Sequence, residues 1–129
     1  MTAARSRVAV ISLAFIGVLE TACSGVDNAR AVAQWIGGDP ARGRDAIRRY
    51  GCDACHTIPG VATAHGTVGP PLTAIAARSY LGGEVENTPA NMQLWIRHPR
   101  DVEPRTVMPD TGVTEADGRD IAAYLYTLR

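Results

Sequence analysis

The sequence predicts one small all-α domain in which three main helices are joined by long loops. Two observations support this prediction. No segment alternates polar and apolar residues with the period of a strand, and three segments combine an N-terminal cap with an apolar helical face. The chain has 129 residues and a formal net charge of zero. Four arginines, Arg42, Arg44, Arg48 and Arg49, cluster on one short segment, which is typical of a solvated charged face. No other nucleic-acid-binding signal is present, so a nucleic-acid partner is not expected.

The first helix is predicted in the stretch DPARGRDAIRRYG. Asp39 is a favourable N-cap residue, and the proline that follows it suits the first turn. Gly43 and Ile47 lie one turn apart on one face, where the missing side chain of the glycine would let another helix approach closely. Gly51 is expected to end the helix.

Two further helices and a shorter helical stretch follow. The second helix, TPANMQLWIRH, begins at the cap Thr88 and ends before Pro99. The third, TEADGRDIAAYLYTLR, begins with Thr114 and Asp117 spaced as in a capping box. The stretch LTAIAARSYL, from Leu72, is expected to form a short helix.

The N-terminus has the pattern of an export signal. Arg5 and Arg7 precede the apolar run VAVISLAFIGVL. As a helix this run would span roughly 18 Å, which is short of a bilayer core of about 30 Å. The following ETACSG allows either simple cleavage or lipidation of Cys23 as in bacterial lipoproteins. We therefore expect the domain to work in the bacterial periplasm, free or tethered to the membrane by a lipid. The predicted division is 1–23 export signal, 24–38 linker and 39–129 folded domain.

The stretch CDACH at residues 52–56 contains the main candidate site. A zinc site usually needs two separated ligand pairs, and no second pair exists. A thioredoxin-like redox pair lies beside a βαβ unit, for which no strand is predicted, and a structural disulfide is the third alternative. C-x-x-C-H is the attachment signature of a c-type haem, whose vinyl groups would be bonded by Cys52 and Cys55 and whose iron would be bound by His56. Export supplies the compartment in which haem is attached, and the haem interpretation is therefore favoured.

Several motifs in order give a family resemblance. GCDACH, then GPPL at 69–72, MP at 108–109 and the C-terminal DIAAYLYTL resemble a monohaem c-type cytochrome of the mitochondrial-type (class I) fold. The stretch RSYLGGEVENTPANMQLWIRHPRDVEPRTVMP is similar to the cytochrome c domain fused to subunit II of haem–copper oxidases. The likeness does not extend to a copper-binding portion. It implies a free-standing or lipid-anchored relative, wrapped around one covalent haem c.

The resemblance also implies roles for individual residues. His56 would be held by a hydrogen bond to the backbone carbonyl of Pro70, and Met108 would be the sixth iron ligand. A methionine is more commonly a core residue, and Met92 competes for the ligand role from a helical face where packing explains it. The haem propionates would be bound by donors chosen from Arg78, Tyr80, Asn87, Trp95 and Arg105.

The expected function is one-electron transfer without chemical conversion of a small-molecule substrate. By the oxidase likeness, the acceptor would be a terminal oxidase, and the donor a quinol-oxidising complex or a dehydrogenase. One alternative is a haem-bearing subunit of a membrane dehydrogenase or oxidase complex. Another is a ligand-binding haem enzyme or sensor, which would need an open sixth position on the iron.

Overall fold

A computed structural model describes residues 20–129, with side chains from residue 27 onward. Residues 1–19 of the predicted export signal and the side chain of Cys23 lie outside the described part. The all-α prediction is confirmed, with one small antiparallel hairpin added. The elements are α1 (Glu20–Ile36), α2 (Pro40–Arg49), β1 (Tyr80–Leu81), β2 (Val85–Glu86), α3 (Pro89–Arg97), α4 (Pro99–Val102) and α5 (Glu115–Leu125). No helix within residues 20–129 is both long and apolar enough to cross a membrane.

The three predicted helices correspond to α2, α3 and α5, and each begins at its predicted cap. The Asp39 carboxylate accepts hydrogen bonds from the first-turn N–H groups of α2, and the Thr88 and Thr114 hydroxyls do the same for α3 and α5. The expected short helix from Leu72 is instead a single 3₁₀ turn, Ile75–Ala77. Ala74, at φ 52°, has a left-handed backbone that a continuous right-handed helix cannot include.

The core forms where α2 crosses α5, and α3 also packs on α5. A Cβ atom added at Gly43 would lie 1.9 Å from the carbonyl oxygen of Asp120, so the two helix backbones touch at this point. Ile47 of α2 and Ile121 of α5 are each 1% exposed beside the crossing. The predicted glycine face therefore lies at the backbone contact between α2 and α5.

Residues 24–38, expected to be a linker, are helical as far as Ile36, and the end of α1 packs on the domain. Val32 and Ile36 are buried, and the Trp35 ring lies edge-on to Tyr126 at 5.1 Å between centroids. Val32 and Ile36 are four positions apart and share one face of α1, which packs on α5. Residues 24–36 are therefore part of a packed helix and not a linker. The local sequence does not indicate that Val32 and Ile36 are buried. Gly37, at φ 75°, ends the helix.

Candidate haem site

A cavity of about 480 Å³ opens between α3, α5 and the loops that connect the helices. Its wall is mainly apolar and includes Cys52, Cys55, His56 and Met108. The first three follow directly after α2, where Gly51 at φ 71° turns the chain into a short 3₁₀ turn. The helix stop predicted at this glycine therefore aims the CDACH segment into the cavity.

The two thiols are free and partly buried. Cys52 and Cys55 form no disulfide, although the turn holds them close, with the Cys55 N–H donating to the Cys52 carbonyl at 3.3 Å. Burial raises the pKa of the Cys52 thiol to about 11. A reactive redox pair relies on a thiol whose pKa is lowered, so a neutral buried thiol argues against that alternative.

The imidazole of His56 is fixed in orientation on the cavity wall. Its Nδ1 lies 2.7 Å from the carbonyl oxygen of Pro70, where the resemblance places this contact. A carbonyl can only accept, so Nδ1 carries the hydrogen and the lone pair of Nε2 remains available to a metal. A Cβ atom at Gly69 would lie 2.3 Å from the ring atom Cε1. The Gly-Pro pair thus supplies both the acceptor and the space for the ring.

Met108 lies on the loop between α4 and α5 and is half-buried at the cavity. Its backbone N–H donates to the hydroxyl of Thr106 at 3.2 Å, which stiffens the loop. Met92 also borders the cavity, but it is 1% exposed and belongs to the core. His65 and His98 do not line the cavity.

Three of the residues expected near the propionates also line this cavity. They are Arg78, Tyr80 and Trp95. The guanidinium of Arg78 donates to the carbonyl oxygens of Pro71 and Thr73, which anchors it along its own loop. The Trp95 ring faces Gly82 at the hairpin turn, where an added Cβ would lie 3.0 Å from Cη2.

Asn87 does not line the cavity, contrary to its expected propionate role. Its amide Nδ2 donates to the carbonyl oxygens of Ile75 and Arg78, at 2.9 and 2.8 Å. Its Oδ1 accepts from the hydroxyl of Tyr126 at 2.8 Å. Both amide hydrogens are therefore used inside the protein, and Asn87 braces the cavity wall from behind.

Arg105 does not line the cavity either, because its side chain is 89% exposed and turned towards Glu103. The backbone N–H and guanidinium of Arg105 donate to Glu103, at 2.8 and 3.3 Å, and hold the pKa of this carboxyl below its usual range. Glu103 itself is on the wall, and no motif in the sequence indicates it. A lone glutamate in a loop gives no signal until the fold places it.

The composition of this site suits a covalent haem. Two free thiols, an imidazole with an available nitrogen and a thioether converge on an apolar cavity whose volume lies in the range of cofactor pockets. A metal held by protein side chains alone is a poorer match. Among the described residues, no cluster of three or more His, Cys, Asp or Glu side chains could bind one.

Comparison with known proteins supports the same conclusion. A family model for cytochrome c matches residues 40–129. The chain is also 33% identical over 89 residues to cytochrome c oxidase subunit 2 of Alkalihalophilus pseudofirmus, an alignment that covers 68% of this chain and 25% of that protein. The chain thus spans about a quarter of the length of this relative. With most of its length matched, including the whole cavity wall, the chain belongs to the cytochrome c family, whose members bind haem c covalently and transfer electrons.

Proposed function

We propose that this protein is an exported one-electron carrier with one haem c in the cavity, bound by Cys52 and Cys55 and ligated by His56 and Met108. The observation that carries the proposal is the convergence of these four side chains on a single apolar cavity. When bound, the haem iron would supply the redox chemistry by exchanging one electron between its ferric and ferrous states.

The protein would hold the side chains of His56 and Met108 in place as iron ligands and keep water out of the apolar cavity. Pro70 fixes the His56 ring so that Nε2 stays available and its basicity is raised. The thioether of Met108 is a neutral ligand, which favours the ferrous form and a high reduction potential. If His56 and Met108 both bind the iron, they would leave no open position for oxygen or peroxide.

Replacement of each methionine tests the ligand assignment. In Met108→Ala we expect covalent haem to be retained but the far-red sulfur-to-iron band of the ferric protein to disappear and the potential to fall. Met92→Leu is the matched control, since it removes a thioether while conserving core volume, and it should keep both properties. Loss of the band in Met92→Leu but not in Met108→Ala would show that the ligand is misassigned.

For the physiological partner, we propose a terminal oxidase as acceptor. The support is the similarity to an oxidase subunit 2, which covers only a quarter of that protein. A second candidate is a haem-bearing subunit of a membrane dehydrogenase or oxidase complex, and the packing of α1 on the domain favours it over a freely swinging carrier. Copurification of the native protein with a membrane complex after mild solubilisation would select the subunit. Recovery of a monomer that reduces oxidase in solution would select the carrier.

We further propose that the domain is periplasmic and anchored through lipidated Cys23. The support is the apolar N-terminal run followed by TACSG. Cys23→Ser should move the protein from the membrane fraction to the soluble fraction, whereas Ser24→Ala should leave it on the membrane. If the Cys23→Ser protein stays with the membranes, the lipid anchor is wrong.

A further inference from the structure

The cavity wall includes a short segment with a strained backbone. Ile75 and Arg78, at either end of the 3₁₀ turn, both line the cavity. Directly before the turn, Ala74 has φ 52° and is the single non-glycine residue with positive φ in the described chain. A left-handed alanine is unfavourable and persists only where the surroundings hold it. The wall segment therefore depends on support from outside the turn.

Asn87 provides that support from a different part of the chain. Its amide donates to the carbonyl oxygens of Ile75 and Arg78 and so connects the two ends of the turn. Its backbone N–H also donates to the carbonyl of Ser79 at 2.9 Å. Three N–H groups of one residue thus donate to three carbonyl groups within residues 75–79, and two of these belong to the cavity-lining residues Ile75 and Arg78.

Tyr126 fixes the orientation of the Asn87 amide. Its hydroxyl donates to Oδ1 at 2.8 Å, so that both amide hydrogens face the turn. The ring is 5% exposed and touches Trp35 of α1. Burial raises the pKa of Tyr126 to about 12, and the hydroxyl therefore remains a donor at any physiological pH.

We propose that Asn87 and Tyr126 are positioning residues that clamp Ile75 and Arg78 in the cavity wall and thereby raise the reduction potential of the bound haem. This inference rests on the proposed function, because it requires a redox-active haem in the cavity. Ile75 keeps the wall apolar and Arg78 places a positive charge on it. A dry wall and a nearby cation both disfavour the more positive ferric state. Loosening the clamp should admit water and lower the potential.

The test compares the removal of a single hydroxyl oxygen from two tyrosines at the C-terminal end of α5, Tyr126 and Tyr124. Tyr126→Phe removes the hydroxyl that reaches Asn87 but keeps the buried ring. Tyr124→Phe is the control, because it removes a hydroxyl that donates to the carbonyl of Pro59 at 2.6 Å, away from the clamp. Asn87→Asp is a second variant, since it turns a carboxylate oxygen towards two carbonyls.

The readouts are a spectroscopic redox titration of each haem-loaded protein and the amide hydrogen exchange of Ala77 and Arg78, whose N–H groups close the turn. Tyr126→Phe should raise the ratio of oxidised to reduced protein at least threefold at a fixed applied potential. Exchange at both amides should also become at least threefold faster. Asn87→Asp should show larger shifts, and Tyr124→Phe should show neither.

Wild-type values of either readout in Tyr126→Phe would overturn the proposal, and so would an equal shift in Tyr124→Phe, which would reflect general loosening. If Asn87→Asp fails to accumulate as a folded protein, Tyr126→Phe decides alone. Failure of the proposed function would look different, because the wild-type protein itself would then lack covalent haem or a redox transition.

Discussion

Gly43→Ala offers a test of the fold in which two physical effects have opposite signs. On an exposed helix, this change would stabilise the protein by about 1 kcal/mol, because alanine is the better helix former. Here the new Cβ would lie 1.9 Å from the carbonyl oxygen of Asp120 and 2.5 Å from its carbonyl carbon. Both are backbone atoms of α5, and no side-chain rotation can relieve the clash.

The structure sets the size of the expected loss. Restoring a carbon–oxygen contact of about 3.3 Å requires α2 and α5 to separate by about 1.4 Å. The separation would loosen Ile47 against Ile121 and open the haem cavity that both residues line. Overpacking typically costs about 1–3 kcal/mol, and because this clash is between backbone atoms we place its cost just above that range, at about 3–4 kcal/mol. After the gain in helix propensity of about 1 kcal/mol, the net loss is about 2–3 kcal/mol. In a domain of this size the loss lowers Tm by roughly 8–24 °C.

Urea unfolding of the haem-loaded protein, followed by circular dichroism and visible absorption, measures this loss. Gly118→Ala in α5 is the matched control. Its Cβ would meet the Arg97 side chain, 3.0 Å from Cδ and 3.2 Å from Cγ, and that side chain can move. We expect the control to stay within about 1 kcal/mol of wild type. Equal stability of Gly43→Ala and Gly118→Ala would refute the close helix contact.

Two further predictions follow from contacts near the helices and the cavity. The Asp120 carboxylate accepts hydrogen bonds from the Asp39 N–H at 2.7 Å and from the Arg42 guanidinium at 2.7 and 3.0 Å. Because Asp120→Ala removes this acceptor, it should lower the free energy of unfolding by about 2–3 kcal/mol at pH 7. Burial opposes ionisation, but these donors outweigh it and lower the pKa of Asp120. The stabilisation is therefore present above the unfolded-state pKa of about 4 and is lost as the pH falls through the lower pKa of the folded state, so wild type and variant should converge in acid urea titrations. Gly69→Ala would place Cβ within 2.3–2.8 Å of the His56 ring, and we expect it to change the low-spin ferric spectrum. An unchanged spectrum would contradict the proposed position of the ring against Gly69.

The helices that the sequence predicts correctly have signals confined to a few neighbouring residues. Asp39, Thr88 and Thr114 each cap a helix through contacts with N–H groups two or three positions away. Such contacts need no knowledge of the rest of the fold. The CDACH segment is similar, because its spacing alone places two thiols and an imidazole on one turn.

The errors arise where distant parts of the chain decide the outcome. Residues 24–38 were expected to be a linker because nothing nearby indicates that Val32 and Ile36 pack on α5. The resemblance assigned Asn87 to the haem, but the three hydrogen-bond partners of its side chain come from a turn and from Tyr126, 39 positions away. An asparagine donates and accepts wherever it is placed, so its role is set by neighbours that the local sequence does not specify.

The packing of α1 on α5 has a consequence for the proposed lipid anchor at Cys23. A flexible linker of 15 residues reaches about 21 Å, and a helix from residue 23 to Ile36 spans about 21 Å, so the two tethers extend equally far. They differ in orientation. A flexible linker lets the domain rotate freely relative to residue 23, whereas α1 fixes the direction from residue 23 to the domain through Ile36 and the contact of Trp35 with Tyr126. A lipid on Cys23 would then set the distance between the membrane and the domain, and we expect this to restrict how far the cavity face can move from the membrane.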